Sequence, residues 1–221
     1  MVSASLLLLA DSRLPAGAHA HSGQLEAAVE AGLVATLADL VGFVLGRLTT
    51  QGSTSACAAS MAWLLADAGA DQPEWDRLDA AYAVRTPSPA QRAASRAQGR
   101  SLLRVGRRAW PAAPLDLVGT APHHAIALGA LAWAAGATSL DAATVVALGT
   151  VSGPASAAVR LLSFDPLGVQ TALAALTGVV DAVATRADES AHAGRLLCPG
   201  SPSLDRLAEA HQSAEVRLFA S

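Results

Sequence analysis

Apolar residues return at spacings of three and four through most of the chain, and alternation with a period of two never lasts more than a few residues. The pattern predicts helices and no sheet. Residues 24–31 read as an amphipathic helix that stops at Gly32, a residue suited to the left-handed step after a helix end. Thr36, with Asp39 three positions on, predicts a capped start for the helix beginning "LADLVGFVLGRL". Helical density continues over 54–68 and 74–83. Ser88-Pro89 combines a capping side chain with proline at the first helical position, predicting a helix to Trp110. Further helices are expected over 123–135, from Ser139 to about 162 with a kink or break at Pro154, and from Asp165-Pro166 to about 188. Ser201-Pro202 opens a last one, running to about 218. The expectation is an all-α, single-domain array of eight to ten helices over residues 1–221, with no repeat and no internal boundary.

In that last segment Leu204, Leu207, Ala208, His211, Ala214 and Leu218 form a narrow apolar stripe on a polar background. Residues 201–221 are therefore expected to be a mobile or loosely docked tail that a partner fixes.

Composition sharpens this picture. Hydrophobic residues make up 52% of the 221, yet aromatics only 4%, so alanine and leucine must fill the core and helices must approach closely. The segment between Gly119 and Val159 carries one charged residue, Asp141; its Thr, Ser, Gly and Pro content and lack of flanking aromatics favour buried core helices over a membrane hairpin. The N-terminal leucine run is short and lacks a basic lead, so it does not read as a secretion signal. Cys57 and Cys198 have no nearby cysteine partner and read as reduced thiols, in keeping with a cytoplasmic protein.

Candidate chemistry is sparse. Every one of the 15 basic residues is arginine, which excludes a phosphate-loop lysine and a Schiff-base lysine. Glu189 and His192 make a single E-x-x-H, where a di-metal bundle needs two. His19, His21, His123 and His124 could supply imidazoles to zinc, but no spacing fixes four ligands. A helical enzyme with a His-bound metal therefore remains an alternative rather than the reading, and no catalytic residue, metal ligand or cofactor is assigned.

One periodicity stands out. Arg92, Arg96, Arg100, Arg104 and Arg108 recur every fourth residue beside Arg107, with no acid between Pro89 and Pro114. On an α-helix a four-residue spacing drifts by about 40° per step, which makes a slowly winding cationic stripe. The stripe reads as a solvated face paired elsewhere in the fold, as an interface for an acidic protein, or, third, as a DNA-binding face. Net charge of −3 and the absence of interleaved aromatics weigh against nucleic acid.

Four segments, in order, resemble the UreF family of urease accessory proteins. In the first, "LPAGAHAHSGQLEAAVEAG", Pro15, Gly17, Ser22, Leu25 and Glu26 match a Pro-x-Gly turn leading to Gly-x-Leu-Glu, with His21 beside them. Arg92, Ser95 and Gly99 resemble an Arg-x-Ala-Ser-x-x-x-Gly element. Arg160 in "SAAVRLL" and Gln170 in "DPLGVQ" resemble its Arg-Leu…Leu-Gly-Gln stretch, and His211, Arg217, Leu218, Phe219 and Ser221 its His…Arg-Leu-Phe-x-Ser end. The resemblance implies a dimer-forming, non-enzymatic chaperone that binds UreD (also called UreH) and the GTPase UreG, and delivers nickel to apo-urease. It implies partner-binding roles for Pro15, Gly17, His21, Ser22, Glu26, Arg92, Arg160, Gln170, His211, Arg217, Leu218 and Phe219. Arg96, Arg100 and Arg104 join them from the stripe. No cofactor, nucleic acid or membrane is implied.

Overall fold

A computed structural model describes residues 4–11, 14 and 20–220. Its α-helices are α1 (Ala4–Ala10), α2 (Leu25–Glu30), α3 (Leu37–Arg47), α4 (Ser53–Asp67), α5 (Gln72–Val84), α6 (Pro89–Ala109), α7 (Pro114–Leu117), α8 (His124–Ala134), α9 (Ser139–Leu162), α10 (Pro166–His192) and α11 (Pro202–Ser213). A π-helical segment, Leu48–Gly52, joins α3 to α4 without leaving right-handed backbone, so these two are one continuous run. Counting it once gives ten helices, and no strand occurs among the described residues. The fold is all-α, as the periodicity implied.

Local chemistry sets the helix ends. Thr36 and Asp39 exchange side-chain and backbone hydrogen bonds in a capping box, and Asp71 with Glu74 does the same for α5. Ser88 accepts from Gln91 N–H at the start of α6, and Asp165 accepts from Leu167 and Gly168 N–H at the start of α10. Gly32 and Gly136 follow α2 and α8 at φ +70° and +76°, the left-handed step that glycine takes without strain.

Helices α4, α8 and α9 form the centre, and α10 and α6 pack outside them. Alanine permits the close approach: Ala56, Ala58, Ala59 and Ala62 of α4 are fully enclosed, as are Ala127, Ala130 and Ala132 of α8. At Gly129 the two backbones touch: a Cβ there would lie 2.0 Å from the Ala59 carbonyl oxygen. Among the described residues two helices, α9 and α10, are long and apolar enough to cross a membrane by length and composition alone. The first is a core helix. The second is only 22% buried over its apolar window and presents Leu167, Gly178, Val179 and Ala182 on its exposed side.

Several boundaries depart from the periodic reading. Thr138, not Ser139, caps α9, forming the capping box with Asp141. Pro154 neither ends nor splits that helix; its ring is buried against the chain entering α2, and this packing offsets the one lost backbone bond. Helix α10 runs on to His192 because Ala187, Ser190 and Ala191 still bury a face. The last helix stops at Ser213, five residues short of expectation, and residues 214–220 continue as a non-helical strap. Helix α1 was not anticipated; its Leu6 and Leu9 are buried beside α9.

Candidate partner-docking site

The strap and the start of α2 meet at one carboxylate. Gly23 and Gln24 both take positive φ (61° and 68°), a sharp left-handed entry that drives α2 inward so that residues 22–28 are all buried. An amphipathic helix was expected here; instead every side of its first turn is covered. Glu26 is therefore only 3% exposed. Its Oε2 lies 2.8 Å from His211 Nε2 and accepts from Phe219 N–H at 3.1 Å, while Oε1 accepts from Leu218 N–H at 2.7 Å. Burial alone would raise this carboxyl's pKa, but the bonds from Leu218, His211 and Phe219 together outweigh it and hold the group below the usual carboxylate range. A buried anion with three donors is a satisfied one. The amides of Leu218 and Phe219 in turn find their acceptor in Glu26.

Around this centre the strap sorts its side chains. Phe219 is buried, with the Arg160 guanidinium 4.4 Å from its ring centroid. Ala220 N–H donates to Ala20 O at 2.7 Å, and Ser22 Oγ accepts from Glu26 N–H. Val216, Arg217 and Leu218 face outward, Val216 and Leu218 being 78% and 75% exposed. Six residues singled out from sequence, Ser22, Glu26, Arg160, His211, Leu218 and Phe219, thus form one cluster. Its polar centre is closed, and its outer surface offers two apolar side chains and an arginine.

Beside the cluster lies a cavity of about 220 Å³ between α2, α6 and α11, lined by His21, Gln24, Gln91, Ala97, His211 and Ala220. Behind its wall is a network that periodicity could not reveal. Arg47 donates to Gly23 O at 3.0 Å, to Gln51 Oε1 at 2.9 Å and to Gln24 Oε1, and Gln51 Nε2 donates in turn to Gln91 Oε1. Desolvation lowers the Arg47 pKa to about 10. The π segment follows directly and turns Gln51 toward both neighbours; isolated glutamines leave no sequence signature for this.

The Arg92, Ser95, Gly99 element takes a different place. Arg92 donates to the carbonyls of Thr86 and Pro87, each at 2.7 Å, and Arg96 grips both oxygens of Asp79, the closer at 2.6 Å, together with Ala121 O. Ser95 Oγ accepts from His124 N–H and lies 3.1 Å from His123 Nδ1, capping α8 from outside. A Cβ on Gly99 would meet Pro122 O at 2.0 Å. This element seats α6 on the start of α8. His123 is fully buried against Tyr82, and desolvation, reinforced by the charge of Arg96, brings its pKa down to about 4. His124 is held at about 4 by desolvation, with His21 adding repulsion. Among the described residues no three His, Cys, Asp or Glu side chains gather as a metal site. Gln170 stands on the exposed side of α10, outside the cluster. Pro15, Gly17, His19 and Ser221 lie outside the described residues. Both cysteines are free thiols, Cys57 buried and Cys198 exposed.

Comparison with known proteins decides what carries these segments. The UreF family model matches residues 34–177. The urease accessory protein UreF of Mycobacterium marinum is 44% identical over 220 residues, covering 99% of this chain and 98% of its own, and that of Mycolicibacterium vanbaalenii is 42% identical over 218 residues, with the same coverage. The chain belongs to the UreF family. UreF relatives are named as accessory proteins, which sets this chain among helper proteins rather than enzymes. Glu26 and the strap fall outside the stretch matched by the UreF model, but the full-length UreF relatives extend past it at both ends.

Proposed function

We propose that the chain is the UreF-type component of a urease maturation complex. In this reading it binds UreD/UreH and then the GTPase UreG, so that GTP hydrolysis is coupled to insertion of nickel, the cargo, into apo-urease in the cytoplasm. The observation that carries the reading is the cluster at Glu26: the two segments most like the family's opening and closing elements meet there and leave Val216, Arg217 and Leu218 outward for a partner. Apolar side chains next to an arginine are the chemistry of a protein hot spot. The strap, anchored through so few groups, is the element proposed to shift or become fixed when UreD binds.

The same reading includes a homodimer, supported by the apolar side chains that α10 leaves exposed, Leu167 and Val179 among them. Co-expression with UreD and UreG followed by size-exclusion chromatography tests the assignment. The wild-type chain is expected to elute with UreD and to draw UreG into the complex, whereas deletion of residues 204–221 leaves a helical protein that elutes alone. A truncated chain that binds UreD with unchanged affinity contradicts the role given to the strap, and a wild-type chain that binds neither protein contradicts the function.

A further inference from the structure

The arginines of α6 divide into two groups. Arg92 and Arg96 are tied to carbonyls and to Asp79, and Arg107 donates to Leu115 O with Asp116 3.5 Å away. Arg100, Arg104 and Arg108 are exposed, and among the described residues no carboxylate pairs with any of them. Like charges at i, i+4 disfavour a helix; the C-terminal dipole of α6 favours Arg108 in its last turn, but no carboxylate among the described residues offsets the repulsion along the three.

Their place in the fold points to what would. On the N-terminal half of α6, Ala90, Ala93, Ala94 and Ala97 face Ala208, His211 and Gln212 of α11 across the cavity. The same helical face continues from Ala97 to Arg100, Arg104 and Arg108 at steps of three, four and four residues, beyond the part that α11 covers. Successive guanidinium groups there are separated by about 6 Å along the axis, the rise of four helical residues. Carboxylates at i, i+4 on a second helix laid along α6 would have the same spacing, and an arginine fork suits a carboxylate.

We propose that Arg100, Arg104 and Arg108 form a docking surface for an acidic helix of a partner protein, lying alongside α6 in line with α11. The small residues Ala97 and Ser101 leave room for close approach on this face. Nucleic acid fits less well, because no aromatic side chain interrupts the stripe and the chain as a whole carries a net charge of −3. This extends the proposed accessory role by stating the chemistry of one partner surface, and rests on that role only for the partner's identity.

The test uses the full chain and two fluorescent probes, a short alanine-based helix with glutamate at every fourth position and a short DNA duplex. The glutamate helix is expected to bind in a salt-sensitive manner and more tightly than the duplex. Changing Arg100, Arg104 and Arg108 together to glutamate should weaken it by at least about tenfold, while changing them to lysine should retain most of the binding, and far-UV circular dichroism should match wild type in both variants. No binding of the glutamate helix, binding indifferent to charge reversal, or tighter binding of the duplex that reversal abolishes would each overturn the proposal. If the glutamate variant misfolds, the same reading is taken from Arg→Gln at the three positions. Urease activation in cells lacking their own UreF-type protein separates the two ideas. A wild-type chain that fails to restore activity contradicts the accessory role whatever the peptide does; restored activity with failed peptide binding contradicts only the docking surface.

Discussion

Helices α4 and α8 meet where a side chain is missing, whereas α2 and the strap meet around a side chain that is buried and charged. At Gly129 the backbone of one helix lies against that of the other, and alanines fill the contact on both sides. At Glu26 one carboxylate satisfies two amides and an imidazole from the far end of the sequence. The first contact is steric and cannot be exchanged for another without moving a helix. The second consists of hydrogen bonds that a competing donor or acceptor could replace. In the proposed role, keeping the body while offering its ends to a partner calls for both kinds of contact.

The largest effect should come from the steric side. Gly129→Ala places a methyl group 2.0 Å from the Ala59 carbonyl oxygen, and forced separation of α4 from α8 should cost about 3 kcal/mol of global stability. Urea unfolding followed by circular dichroism measures it. Glu26→Gln comes next. It keeps the volume but loses the charge that three donors share, so docking of the strap should weaken by about 1–3 kcal/mol while the urea midpoint of the body moves far less. Arg217 is exposed on the strap, and faster tryptic cleavage there would report the change.

Acid should separate the regions in sequence. The folded pKa values of His123 and His124 lie at about 4, below the usual 6.5, so the unfolded chain binds protons first. Global stability should therefore fall as the pH is lowered from about 6.5 toward 4. Glu26 is depressed from 4.5, so its contribution is complete above that value and is lost only as the pH falls through the lower folded one. Chemical shifts of the Leu218 and Phe219 amides followed by NMR should hold steady until after that global decline has begun. The smallest effect belongs to the exposed arginines. Arg100→Ala or Arg104→Ala should change stability within about 0.5 kcal/mol, whereas Arg96→Ala, which strands Asp79 and Ala121 O, should cost more in the same unfolding measurement.

Much of the architecture was legible because it depends on local signals. The capping box at Thr36 and Asp39, the Ser88-Pro89 start and the Gly32 and Gly136 stops all act within a few residues, and each appears where the sequence places it. The course of the strap after α11 was not legible, since Glu26, which anchors it, lies 192 residues away from Leu218. Pro154 misled for a related reason, because tertiary packing against the entry to α2 overrides its local preference. Within the candidate site, resemblance picked out Glu26, His211 and Phe219 one by one, and only the fold brings them into contact. The equal four-residue spacing of the arginines concealed a division. Asp79 and the carbonyls of residues 86, 87 and 121 engage Arg92 and Arg96, and no period along α6 encodes where those groups lie.

Hydrogen exchange at residues 214–220, compared between wild type and Glu26→Gln at neutral pH, tests most directly that one carboxylate joins the two ends of the chain. The Leu218 and Phe219 amides are expected to be protected in wild type beyond those of the exposed residues 215–217, and the variant to lose this protection while residues 56–62 of α4 exchange as before. Unchanged protection at Leu218 and Phe219 in Glu26→Gln would contradict that link, and so would an equal loss of protection in α4.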